Sequence, residues 1–101
     1  MSPETLAALR GSISKWEAIV EGHGQDDGVL NCPLCAVFHH NECWGCPVME
    51  RTGSSGCLDS PYVDVPSTPI NDYANPVARE YARELARAEL DFLRSLLPSD
   101  A

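Results

Sequence analysis

Basic residues are scarce in this 101-residue chain, where seven lysines and arginines face fifteen aspartates and glutamates for a formal net charge of -8. No Lys/Arg stripe runs along any segment, which argues against direct binding to a nucleic-acid backbone, because such binding rests on neutralising phosphates. Long apolar runs are missing too, and no segment has the length of a membrane span. The N-terminus, MSPETLAALRGS, has neither the basic start nor the apolar run of a secretory signal. The expected compartment is therefore a reducing cytoplasm, where neighbouring cysteines more often bind metal than form disulfides. No Gly-rich phosphate loop, Ser/His/Asp grouping or spaced carboxylate pair stands out, so no catalytic constellation is visible beyond the thiols. Cysteine itself is absent from everything outside Cys32–Cys57.

Within that stretch lie five cysteines. Four make two Cys-x-x-Cys pairs, CPLC (Cys32, Cys35) and CWGC (Cys43, Cys46), and Cys57 follows a Gly/Ser-rich turn. A Cys-x-x-Cys turn brings two sulfurs to one side of a tight backbone loop, and two such turns supply a tetrahedral set for zinc. Thiolates select zinc or iron–sulfur clusters over hard cations. An odd number of thiols cannot all pair within one chain, which again favours metal. Spacing leaves the ligand set open between Cys32, Cys35, Cys43 and Cys46 and a set that brings in Cys57. Zinc is the first expectation. The alternative, an iron–sulfur cluster, has support in Cys46-Pro47, which resembles the Cys-Pro ending bacterial ferredoxin motifs. A third reading is thiol redox chemistry, since CPLC is similar to the glutaredoxin-type CPYC, but the strand that should precede such a motif is missing. His23, His39 and His40 are possible substitutes for a cysteine ligand, and exposed histidine is the plainer reading. Asp26-Asp27 and Asp91 read as solvated surface.

Two helices frame this segment. Ser2 caps, Pro3 takes the first helical position, and Leu6, Leu9, Ile13, Trp16 and Val20 recur at helical steps up to Gly22, with Gly11 and Ser12 weakening the middle. At the other end Asn75 caps, Pro76 opens the helix, and Val77, Tyr81, Leu85, Ala88, Phe92 and Leu96, widened by Leu93 and Leu97, form the expected apolar stripe until Pro98 ends it. Between them, Phe38 is placed to cover the site, the Pro-rich stretch from Thr52 to Asn75 reads as an ordered loop across the domain, and Val63 with Val65 suggest one short strand. The expected architecture is a mainly α, single small metal-stapled domain over residues 1–101. It has an N-terminal helix over 1–22, an irregular Cys-rich metal segment over 31–62 and a C-terminal helix over 75–97. The two amphipathic helices pack together, and the metal replaces the apolar core that the Cys-rich segment lacks, contributing on the order of 10 kcal/mol.

The series CPLC, AVFHHNE, CWGCPV, MERTGSSGC, LDSPY resembles a pattern of small Cys-rich proteins from bacteriophages and prokaryotes, in which CPLC, C-x-x-CPV, TG-x-x-x-C and a closing PY recur together. The resemblance covers Cys32 to Tyr62. A common variant has Gly-Thr before the Pro-Tyr, where this chain has Asp59-Ser60. The resemblance implies a metal-stapled phage accessory protein in the host cytoplasm, with Cys57 joined to the other four cysteines. The expected function is non-enzymatic: the acidic surface meets a host or viral protein partner. The alternatives are an iron–sulfur redox sensor or regulator and a thiol oxidoreductase using Cys32.

Overall fold

The computed structural model describes residues 1–38, 42–54, 57, 59–66 and 68–98. These residues are mainly helical, and no strand occurs among them. Four α-helices follow in order: α1 (Pro3–Glu21), α2 (Pro33–Phe38), α3 (Pro47–Thr52) and α4 (Pro76–Ser95). Short 3-10 turns lie at Gly28–Asn31, Pro61–Asp64 and Ile70–Asp72. The two long helices pack on each other, α2 packs on α1, and the last two 3-10 turns pack on α4.

Helix α1 begins where Ser2 Oγ accepts from the Thr5 N–H at 3.1 Å, with Pro3 at the first position, whose missing N–H costs nothing there. It ends at Gly22, whose φ of 93° is a left-handed cap that glycine adopts without strain. Its buried face carries Leu9, Ile13, Trp16 and Ile19, and also Ser12. Gly11 has a separate use. A Cβ at that position would lie 3.2 Å from the Pro33 ring, so the missing side chain lets the start of α2 lie against α1.

Helix α4 starts as expected, with Asn75 Oδ1 accepting from the Val77 N–H at 2.8 Å. It ends at Ser95, with Leu96 as the cap, before reaching Pro98. Its buried face differs from the expected stripe. Val77 and Tyr81 are 78% and 64% exposed, Ala88 is exposed, and Leu85 and Phe92 are only half-buried. The buried line runs through Ala82, Ala86, Glu89 and Leu90 to Leu93 and Leu96, and of the expected residues only these last two are buried. The period is the same and the phase is shifted. Ala82 and Ala86, 2% and 0% exposed, weigh little in a hydropathy pattern but let α4 seat closely on its neighbours.

The expected strand at Val63–Val65 is also replaced. Pro61–Asp64 forms a 3-10 turn capped by Ser60, whose Oγ accepts from the Tyr62 N–H at 3.3 Å and donates to the Cys57 carbonyl at 2.9 Å. Local side-chain bonds of this kind satisfy backbone groups that a strand would need paired elsewhere. Further on, Ile70 is buried and the Asn71 amide donates to the Gly22 carbonyl, so the described part of the Pro-rich stretch lies across the helix pair.

The α1–α2 approach sets a prediction. Gly11→Val forces two methyl groups into the Pro33 contact and lowers stability by about 1–3 kcal/mol. Thermal unfolding followed by circular dichroism checks it, and an unchanged or raised Tm would contradict the close approach.

Candidate metal centre

The two Cys-Pro dipeptides build the same local device twice. Cys32-Pro33 opens α2 and Cys46-Pro47 opens α3, with proline at the first helical position each time. The first helical bonds match as well: Ala36 N–H to the Cys32 carbonyl and Glu50 N–H to the Cys46 carbonyl, both 2.9 Å. At α2 the Cys35 N–H also donates to Cys32 Sγ at 3.2 Å. At α3 burial raises the Cys46 thiol's pKa, and the Val48 and Met49 N–H groups oppose that rise without closing a side-chain cap bond. Such amides favour the charged sulfur over the thiol.

Cys43 is delivered by a tight turn. Its N–H donates to the Phe38 carbonyl at 3.0 Å, and the Cys46 N–H donates to the Cys43 carbonyl at 3.0 Å. Cys43 and Cys57 both hold positive φ, 70° and 61°. Non-glycine residues adopt this conformation only where their surroundings impose it. The Phe38 side chain is half-buried and packs against Gly45, which has no Cβ to meet the ring.

All five cysteines line one cavity of about 170 Å³, and all five are free thiols. Trp16, Leu34, Val48 and Leu93 supply apolar wall, while Ser12, Lys15, Asp26, Tyr62 and Glu89 supply polar groups. The thiols therefore share one space, as expected from their spacing. Their separation within it is another matter: among the described residues, no three His, Cys, Asp or Glu side chains stand together so as to hold one metal ion. His23 is exposed and pairs with Glu21 at 2.9 Å, and it does not line the cavity. His39 and His40 lie outside the described residues.

The polar wall is organised around Lys15. Its ammonium meets Asp26 at 2.9 Å, with both side chains almost buried, and sits 5.4 Å from the Trp16 ring centroid. Trp16 in turn meets Tyr62 edge-on, with centroids 5.9 Å apart. Burial alone would raise the Asp26 carboxyl, but hydrogen bonds from Lys15, the Gly28 N–H and Tyr62 outweigh it and hold the pKa below its usual value. Asp26 is thus a mostly buried ion-pair partner, contrary to its reading as solvated surface, whereas Asp27 is exposed.

The thiols are tuned unequally. The hydrogen bond with Cys35 lowers Cys32 to about 6 against the opposing effect of burial, and the Cys35 and Leu34 amides and Lys15 add to the lowering. Cys35 is raised by that same hydrogen bond and by burial. Burial raises Cys46, and it pushes Cys57 up to about 12, with Glu89 and the other thiols adding repulsion.

Glu89 and Ser12 were missed by the sequence pattern. They are 3% and 2% exposed, and Glu89 Oε1 and Ser12 Oγ have no hydrogen-bond partner. The signal was present: each interrupts the buried face of its helix, Glu89 between Ala86 and Leu93, and Ser12 between Leu9 and Trp16. Unpartnered buried polar atoms cost about 1–3 kcal/mol each, so a cavity lined by two of them favours an occupant that can bond to them.

No protein-family model, curated protein or solved structure matches the chain. Among the described residues, no helix is long and apolar enough to cross a membrane.

Glu89 makes the protein's stability sensitive to pH. Burial raises its carboxyl from 4.5 to about 7, with repulsion from Cys32 and Asp26 adding to it and Lys15 and the Tyr62 amide opposing. The folded value lies above the unfolded one, so stability is full below pH 4.5 and falls as the pH rises through 7. Glu89→Gln removes that fall. In the reduced, metal-free protein it gains about 3 kcal/mol relative to the parent chain at pH 8 and nothing near pH 4, as read from denaturant unfolding at the two pH values. A pH-independent difference would contradict the buried carboxyl.

Proposed function

We propose that this chain is a non-enzymatic accessory or regulatory module of the bacteriophage type, whose middle segment is stapled by a thiolate-bound metal and whose acidic surface meets a protein partner. One observation carries the reading: every cysteine in the chain lines the same cavity. Soft thiolates in such numbers select zinc or iron. Cys32, Cys35, Cys43, Cys46 and Cys57 are the candidate ligands. The donor type fits, because the Cys35 and Leu34 amides favour the charged form of Cys32, while at Cys46 the amides only oppose the rise that burial causes, and metal binding needs thiolates. The metal would tie α2 and α3 to the long helices, and a reducing host cytoplasm would keep the thiols free for it.

The partner surface is read from charge. Every acidic residue the structure describes is exposed except Asp26 and Glu89. A dense anionic exterior steers association toward a basic protein surface and away from nucleic acid. A thiol oxidoreductase is the second reading, favoured by the low pKa of Cys32 and its hydrogen bond from the Cys35 N–H. The two readings separate on one experiment, because thiols bound to metal are not free nucleophiles.

Cys35→Ser should lower metal content and reduce Tm in the metal-loaded protein. Metal analysis with thermal unfolding reads both, and an unchanged Tm with intact metal content would count against stapling. Turnover of a small disulfide substrate by the metal-loaded protein would favour the oxidoreductase. Charge reversal at Glu80, Glu84 and Asp91, all exposed on α4, should leave folding intact and weaken partner binding, mainly through a slower association rate that loses its salt dependence. Undiminished binding after all three changes would remove α4's acidic side from the interface.

A further inference from the structure

We infer that Cys32 and Cys35 are a redox pair, which a low-molecular-weight disulfide oxidises to an intrachain disulfide that dismantles the thiolate centre. The pair stands on contacts within the chain, and its effect on the centre rests on the metal-stapled reading above. The first observation is contact. The Cys32 and Cys35 side chains are hydrogen-bonded to each other, and the Cys35 N–H donates to Cys32 Sγ at 3.2 Å. The Ala36 N–H donates to the Cys32 carbonyl at 2.9 Å, which closes the first turn of α2 around both residues. Residues three apart on such a turn stand about 5 Å apart at Cα, a span that a disulfide bridges without moving the backbone.

The second observation is that the other Cys-x-x-Cys is built differently, although the two look alike in sequence. Both short helices open with Cys-Pro, so the counterpart of Cys32 on α3 is Cys46, and the counterpart of Cys35 is Met49. Cys43 precedes its helix, with left-handed backbone at a φ of 70°, and the Cys46 sulfur takes no cap hydrogen bond from α3. Access differs too. Cys46 is buried, whereas Cys32 and Cys35 are both partly exposed and within reach of a small reagent. The amide bond at Cys32 supports negative charge on its sulfur, which makes Cys32 the attacking group and Cys35 the resolving one. Cys32 Sγ attacks one sulfur of the reagent, the reagent's S–S bond breaks, and the first thiol leaves with the proton that Cys32 gave up. Cys35 Sγ then attacks Cys32 Sγ, expels the second thiol and passes its own proton to it. The pair loses two electrons, and the reagent is reduced by them to two thiols. The centre keeps Cys43, Cys46 and Cys57, one thiolate short of a four-cysteine zinc site.

The test treats the whole reduced chain, zinc-loaded and metal-free in parallel, with hydroxyethyl disulfide, then alkylates free thiols and maps them by peptide mass spectrometry. The expected result is a Cys32–Cys35 bond in both samples, alkylated Cys43, Cys46 and Cys57, and release of about one zinc per chain from the loaded sample. In the metal-free chain, a disulfide at another pair, or none, overturns the redox pair and leaves the thiolate centre standing. Zinc retained in a chain whose Cys32 and Cys35 are joined overturns the dismantling. A chain that takes up no zinc overturns the thiolate centre, and the mapping then decides the pair alone. Cys35→Ser supplies a second readout. It should stall as a mixed disulfide between Cys32 and one mercaptoethanol, the state a resolving thiol would clear. A mixed disulfide elsewhere, with Cys32 alkylated, would overturn the assignment of Cys32 as the attacking group.

Discussion

Five sulfurs are gathered at one cavity by a segment that adds few residues to the buried core. Of the buried core, the Cys-rich segment contributes Leu34, Cys46 and Val48, whereas α1 and α4 supply most of the rest. Two six-residue helices with so little apolar anchorage are far below the length at which a helix persists alone. What orders them is local geometry directed at the cavity: a Cys-Pro start at each helix, amides toward the Cys32 and Cys46 sulfurs, and left-handed backbone at Cys43 and Cys57. Gly11 adds to this, since a side chain there would crowd the Pro33 ring at the α1–α2 contact.

The cavity wall and the outer surface divide the charges between two tasks. Outside, a net charge of -8 is spread over exposed carboxylates, with scattered ion pairs such as Arg83–Glu80 and Arg94–Glu17 that contribute little to stability. Inside, Lys15 and Asp26 form a nearly buried pair near Trp16, and Glu89 is met by the Tyr62 amide but leaves its Oε1 without a partner. A buried carboxyl oxygen without a hydrogen-bond partner costs stability.

Much of the fold was legible in the sequence because it rests on strong local signals. Ser2-Pro3, Asn75-Pro76 and Gly22 mark helix ends through capping chemistry that any context preserves, and the two long helices appear between them. The phase of α4 was not legible. Choosing Val77 and Tyr81 over Ala82 and Ala86 follows hydropathy, whereas packing rewards the small residues where the helix seats closely. The Val63–Val65 strand failed for a related reason, because Ser60 and Pro61 set a capped turn that β-branched residues alone do not reveal. For the site, the gathering of thiols was readable from spacing, while Ser12, Lys15, Asp26, Tyr62 and Glu89 come together only through the packing of α1, α4 and the 61–64 turn.

The most direct test of a metal-stapled middle segment is amide hydrogen exchange on the metal-loaded and metal-free protein, compared peptide by peptide. Residues 31–62 should exchange slowly when loaded and quickly when stripped, while the amides of α1 and α4 keep most of their protection in both states. Equal protection of residues 31–62 in the two states would contradict a metal's role in holding that segment together.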